Sequence, residues 1–183
     1  MSESKNLVEK PKSSEEVYKG KLLHVFYDEA ILPNGAVSSR EWIKHPGACA
    51  VVPIFENNDV MLIDQFRYPP QKLFLEVPAG KIDLGEDIDK TAERELLEET
   101  GLKAESMINI GHFYPAIGYA NEVIHIYVAR GLSQTNEDTD DDEFVQQRRI
   151  PFEEAIQMVH SGEITDGKTI CCLLRAEHYL KSV

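Results

Sequence analysis

GKIDLGEDIDKTAERELLEETGL, Gly80 to Leu102, carries eight acidic residues. Placed on a helix at about 100° per residue, Ile88, Ala92 and Leu96 line up as an apolar stripe. Glu95 and Glu99 project from within that stripe, and Glu98 sits beside it. Burying a carboxylate is costly unless a cation pairs with it, so the inward glutamates need a reason. Glu95, Glu98 and Glu99 lie within one turn of each other, which lets all three carboxylates meet on one side. A hard divalent cation such as magnesium takes oxygen ligands and removes their mutual repulsion. Arg94 can pair with a neighbouring carboxylate and fix its direction. Upstream, PAGKIDLGE brings Glu86 and backbone carbonyls to the helix start, its glycines permitting tight turns. A glutamate-rich helix is often a solvated face, but the inward positions of Glu95 and Glu99 favour a metal site.

The rest of the chain bounds what such a site could serve. At 183 residues it fits one domain with a small additional element. The formal net charge of −13 argues against binding nucleic acid or an anionic membrane. A phosphate-ester substrate would need local cations, and bound metal supplies them. Cys49, Cys171 and Cys172 have no ligand-like spacing and suit a reducing compartment, with the cytoplasm as the expected location. No apolar run is long enough to span a membrane.

Residues 1–16 read as a flexible polar leader and 17–45 as N-terminal strands with a turn at Pro33-Asn34-Gly35. From 46 to 183 strands alternate irregularly with helices. ACAVVPIF and VMLIDQFRY flank Glu56-Asn57-Asn58-Asp59, a hairpin signal, and KLFLEVPAG is a further strand. The helix from Asp87 to Thr100 closes at Gly101, where a left-handed residue is favoured. Two more strands follow, then the acidic loop SQTNEDTDDDE and a final strand, FVQQRRI. PFEEAIQMVHSG has Pro151 near a helix start and Gly162 beyond its end. Asp166 is a candidate cap for the closing helix. The pattern predicts an α+β fold, a mixed and mostly non-parallel sheet packed by helices.

The opening stretch resembles the Nudix box: Gly, five residues, Glu, seven residues, then Arg-Glu-apolar-x-Glu-Glu-x-Gly-apolar. Gly80, Glu86, Arg94, Glu95, Leu96, Glu98, Glu99, Gly101 and Leu102 occupy every fixed place. The resemblance implies the Nudix fold, a mixed β-sheet sandwiched between α-helices, and hydrolysis of a nucleoside diphosphate linked to another group. Carried over, Glu95, Glu98 and Glu99 resemble the family's magnesium ligands, with the Ala79 carbonyl as another, while Glu86 and Arg94 organise the loop. Two or three magnesium ions per site are implied, with manganese able to substitute.

HFYPAIGYANEVIHIYVARGL resembles the ADP-ribose and nucleotide-sugar branch, through Pro115, Gly118, Tyr119, Asn121 and Glu122. Where that branch commonly carries a second proline, this chain has Ile117. SSREWIKHPGACAVVPI and LIDQFRYPPQKLFLEVPAG look like the same branch. There, matching arginines approach the nucleotide sugar, and the N-terminal strands form an antiparallel sheet exchanged between two subunits. This puts Arg40 at the partner's site and Arg67 at the chain's own. Glu76, Tyr119, Trp42 and Phe26 are further candidates for contact with the nucleotide. In related hydrolases a carboxylate from the acidic loop activates water or completes the metal shell. Glu143 is the candidate here, with Asp141 and then Asp142 behind it. The expected protein is a magnesium-dependent homodimer cleaving nucleoside diphosphate sugars to nucleoside monophosphate and sugar phosphate. ADP-ribose comes first, then ADP-glucose and other nucleotide hexoses. The rivals are a pyrophosphatase for oxidised nucleoside triphosphates and a non-catalytic nucleotide-sugar sensor.

Overall fold

In the computed structural model, residues 7–135 and 144–182 are described. Their contacts divide into two units, one running to His45 and including Ala116–Glu122, the other holding Pro46–Pro115 and the chain from Val123 onward.

The N-terminal unit is an antiparallel sheet of β1 (Lys10–Lys19), β2 (His24–Ile31) and β3 (Val37–Lys44), in that order. β1 begins at Lys10, inside the segment expected to be a loose leader. Its sequence, KPKSSEEVYK, has no apolar period to announce a strand, and every residue of it is exposed. Pairing is carried instead by the backbone ladder and polar cross-strand contacts: Lys12 with Glu29, Ser13 with Glu29, and Glu16 with His24. The β2–β3 turn uses Gly35 at φ 85°, a conformation that costs glycine nothing. The segment 116–122 joins this unit because Ile43 N–H donates to the Tyr119 carbonyl and His45 N–H to Asn121 Oδ1.

The second unit holds β4 (Ala48–Pro53), β5 (Asp59–Arg67), β6 (Lys72–Glu76), β7 (Ala79–Lys81), α1 (Ile88–Thr100), β8 (Leu102–Phe113), β9 (Ile124–Gln134), β10 (Val145–Pro151), α2 (Phe152–Ser161) and α3 (Gly167–Leu180). A four-stranded mixed sheet has the order β7-β4-β9-β8, with β4 and β9 parallel. A three-stranded antiparallel sheet has the order β10-β5-β6. The turn at Glu56–Asp59 exists, with Asn58 at φ 63°. Its strands are not a hairpin, however: after one bridge between Ile54 and Val60 they part into the two sheets. Two continuous apolar runs give no period from which their partners could be read.

β4 is buried on both faces, as befits a strand with a parallel neighbour and helices on either side. Ala48, Ala50 and Val52 pack with Ala155, Ile156, Cys172 and Leu173 of α2 and α3. Cys49 and Val51 pack with Ala92 and Leu96 of α1. The sheet is therefore sandwiched between α1 and the α2–α3 pair. Asp87 caps α1 by accepting the Asp89 N–H, and Gly101 ends it at φ 65°. Among the described residues no helix is long and apolar enough to cross a membrane.

Candidate active site

The short strand β7 runs into a loop that returns at the start of α1, so the glycine segment and the helix's acid face are neighbours. Arg94 is the hub. Its Nε and Nη2 bond both oxygens of Glu86, at 3.0 and 2.9 Å, and Nη2 also reaches the Lys81 carbonyl at 3.1 Å. Its Nη1 is shared by Glu95 Oε1 at 2.7 Å and Glu98 Oε2 at 2.8 Å. One guanidinium thus fixes three carboxylates and the loop backbone, using the planar fork that only arginine has. The surrounding carboxylates raise the Arg94 pKa further.

Glu95 and Glu99 are 5% and 1% exposed, the inward positions that their place in the apolar stripe predicts. Glu95 lies against Gly80, where an added Cβ would come within 2.1 Å of its carboxylate. Glu99 Oε2 accepts the Ala79 N–H at 2.8 Å. Glu98 remains partly exposed. Beside this cluster Cys49 donates its thiol to the Ile88 carbonyl. Burial, then the negative charge of Glu95, pushes that thiol up to about 12, leaving it a packing group rather than a nucleophile.

Glu86 also accepts from the Thr91 hydroxyl at 2.8 Å. The Arg94 bonds, then the Thr91 bond, bring its carboxyl down from 4.5 to about 2. Its folded value lies below the unfolded one, so its stabilisation is present above pH 4.5 and is lost as pH falls through about 2. Glu86→Gln is expected to be less stable than the parent at pH 4.5 and above, neutrality included, and to converge on it as pH falls toward 2, so that its stability curve is flatter across that acid window. Urea unfolding at pH 2.5, 4 and 7 checks this; equal slopes in the two proteins would reject the clamp.

A second network adjoins the same glycine segment at Val77. Arg67 bonds both oxygens of Glu76, at 2.8 and 2.7 Å, which raises the arginine's pKa. Lys168 Nζ reaches Glu76 Oε2 at 3.0 Å and the Val77 carbonyl at 3.2 Å. Thr169 Oγ1 accepts the Val77 N–H at 3.0 Å, and Asp166 caps α3 through the Thr169 N–H. Burial alone would push the Asp166 carboxyl up, but Lys168 and the Thr169 donors outweigh it and hold it low. Lys168 and Thr169 are absent from the sequence reading, in which DGKT signals only a helix start.

The candidates therefore divide. Ala79, Glu86, Arg94, Glu95, Glu98 and Glu99 come together, and Arg67 with Glu76 forms the adjoining pair. Arg40, Trp42 and Tyr119 belong to the N-terminal unit. Arg40 is held there by Glu9, Ser38 and the Ser39 carbonyl. Trp42 stacks on Phe26 at 5.0 Å and donates to Asp28, so one indole face is already covered. Glu143, Asp141 and Asp142 lie outside the described residues.

The acid cluster suits a hard divalent cation in donor chemistry: three carboxylates share one guanidinium, leaving the cluster anionic, and Glu99 adds a fourth at the Ala79 backbone. Among the described residues no three metal-binding side chains already converge to enclose an ion; Arg94 occupies the space between Glu95 and Glu98. Glu95, Glu98 and Glu99 are the residues that would hold it.

A helix presenting clamped, buried carboxylates beside a glycine segment marks a class of hydrolase acting with a divalent metal ion. Residues 44–171 match the NUDIX domain model, and the chain belongs to the Nudix family, as a Nudix hydrolase. It is 40% identical over 167 residues to an ADP-ribose pyrophosphatase of Bacillus subtilis, covering 90% of each chain. It is 41% identical over 164 residues to a methanol dehydrogenase activator of Bacillus methanolicus, covering 88% of this chain and 89% of the relative. A solved ADP compounds hydrolase shares the fold, with a TM-score of 0.85 over 95% of both chains at 23% identity.

Proposed function

We propose that this chain hydrolyses the pyrophosphate bond of nucleoside diphosphate sugars, ADP-ribose foremost and nucleotide hexoses next, releasing nucleoside monophosphate and sugar phosphate. The observation that carries the reading is the buried Glu95–Glu99 pair, oriented by Arg94 and by the Ala79–Gly80 backbone. Its similarity to an ADP-ribose pyrophosphatase extends over 90% of the chain. Two or three magnesium ions per site would neutralise the diphosphate and make an attacking water more acidic. Arg94 holds Glu95 and Glu98 in register for that cation load. Arg67 offers the edge of its fork not used by Glu76 to a phosphate oxygen. Glu143, or Asp141 in its place, accepts the proton of the attacking water. In a homodimer exchanging its N-terminal strands, Arg40 serves the partner's site, and Trp42 and Tyr119 contact the nucleotide. The cytoplasm is its setting.

A panel of nucleotide sugars, dinucleotides and triphosphates tests this, read by phosphate release after phosphatase treatment, with magnesium or with EDTA. ADP-ribose should give the highest kcat/KM, and EDTA should abolish turnover; faster hydrolysis of triphosphates would overturn the assignment. In the same assay Glu143→Gln should lower kcat by about 10²–10⁴-fold with ADP-ribose binding retained. The methanol dehydrogenase activator relative favours one second reading, action on a dehydrogenase. Adding the chain to a methanol dehydrogenase assay, with and without the Glu99→Gln change, separates that effect from hydrolysis.

A further inference from the structure

Glu76 is 2% exposed, and a carboxylate so buried persists only with close charge partners. Among the described residues it has two, and they differ in access. The Arg67 side chain is 40% exposed, that of Lys168 only 14%. Lys168 Nζ donates to the Val77 carbonyl at 3.2 Å and forms ion pairs with Glu76 Oε2 at 3.0 Å and Asp166 Oδ2 at 3.3 Å. Three protein oxygens within 3.3 Å engage this ammonium inside the protein, where it has little access to a ligand. Arg67 spends its Nε and Nη2 edge on Glu76, and Nη1 makes no hydrogen bond among the described residues.

We propose that Lys168 is a positioning residue for diphosphate binding, locking the Glu76 carboxylate so that Arg67 presents its Nη1 edge to a phosphate. This rests on the reading of Arg67 as a phosphate ligand. The last torsion of a glutamate is broad and two-fold, so a carboxylate held by one arginine can turn and carry the guanidinium with it. The Lys168 contact to Oε2 removes that freedom. Its simultaneous bond to the Val77 carbonyl ties the lock to the backbone, two residues before Ala79. The bidentate pair thereby becomes a fixed platform, with its orientation cost met on folding rather than on binding.

The test uses Lys168→Met and Lys168→Arg in the full chain. Lys168→Met should raise KM for ADP-ribose about tenfold, the scale of one charge-assisted hydrogen bond, with kcat changing less than about threefold. Lys168→Arg should recover most of the loss. On an Arg67→Gln background the same change should add almost nothing, because both act through one contact. Calorimetric titration with inorganic pyrophosphate in magnesium should show the same weakening whatever sugar the enzyme prefers. Lys168→Gln replaces the methionine variant if that fails to fold. An unchanged KM and pyrophosphate affinity in a folded variant, or full additivity with Arg67→Gln, would overturn the proposal. A wild type that ignores ADP-ribose, yet binds pyrophosphate more tightly than Lys168→Met, would support Lys168 and overturn the substrate reading.

Discussion

Glu99→Gln is expected to remove most magnesium-dependent turnover while leaving the metal-free protein about as stable as the parent. Glutamine has nearly the same shape, and its side-chain oxygen can keep the bond from the Ala79 N–H, now 2.8 Å long. What it loses is charge at a position only 1% exposed. Without a metal ion that charge already interacts with Arg67, so its desolvation cost is partly offset and its removal should change the stability little. With one it is the source of binding. Removing a group that merely supports a metal ligand already costs about 10–100-fold, so loss of a ligand's charge should cost about a hundredfold or more. Thermal unfolding in EDTA and in magnesium gives the second reading. An ion at a hundred times its dissociation constant stabilises the folded state by about 2.7 kcal/mol, and that gain should vanish in the variant. Full activity in Glu99→Gln, or an unchanged magnesium shift, would sink the metal assignment.

The contrast between Glu99 and Lys168 shows what a sequence can disclose. Glu99 is legible because helical geometry alone places it with Leu96 on one stripe, and because the cap at Asp87 and the stop at Gly101 define the helix on which that geometry acts. The same local rules give α2 and α3, whose ends carry Gly162 at φ 80° and the Asp166 cap. Lys168 depends on a segment 91 positions away, and a lysine in the first turn of a helix ordinarily points to water. β1 fails for the opposite reason, since its pairing needs no apolar pattern. The divergence of β4 and β5 turns on which sheet each joins, a question of partners rather than of local preference. Trp42 and Phe26 meet because β2 and β3 pair them in register, which neither residue announces alone.

Gly80→Ala should be the most damaging one-methyl change in the chain, and Gly85→Ala in the same loop should be mild for activity. The two glycines are required for different reasons. At Gly85 the backbone sits at φ +83° with nothing within 4 Å of an added Cβ. Alanine there meets open space and costs only the left-handed strain, about 1–2 kcal/mol. At Gly80 φ is not in the left-handed range, but the added carbon would stand 2.1 Å from the carboxyl carbon and both oxygens of Glu95. Glu95 has little room to yield, being 5% exposed and bonded to Arg94 at 2.7 Å. Retreat would also disturb Glu98, which shares the same Nη1, so the methyl group acts on the whole cluster. Overpacking of this kind costs about 1–3 kcal/mol, comparable to the strain at Gly85, so stability alone should not separate the two variants. Activity should: Gly80→Ala is expected to lose about a hundredfold or more in kcat, Gly85→Ala less than about tenfold. Magnesium titration followed by thermal shift should show weakened binding in the first only. Equal activity in the two variants would mean that the close fit of Gly80 to Glu95 serves packing and not the metal-binding carboxylates.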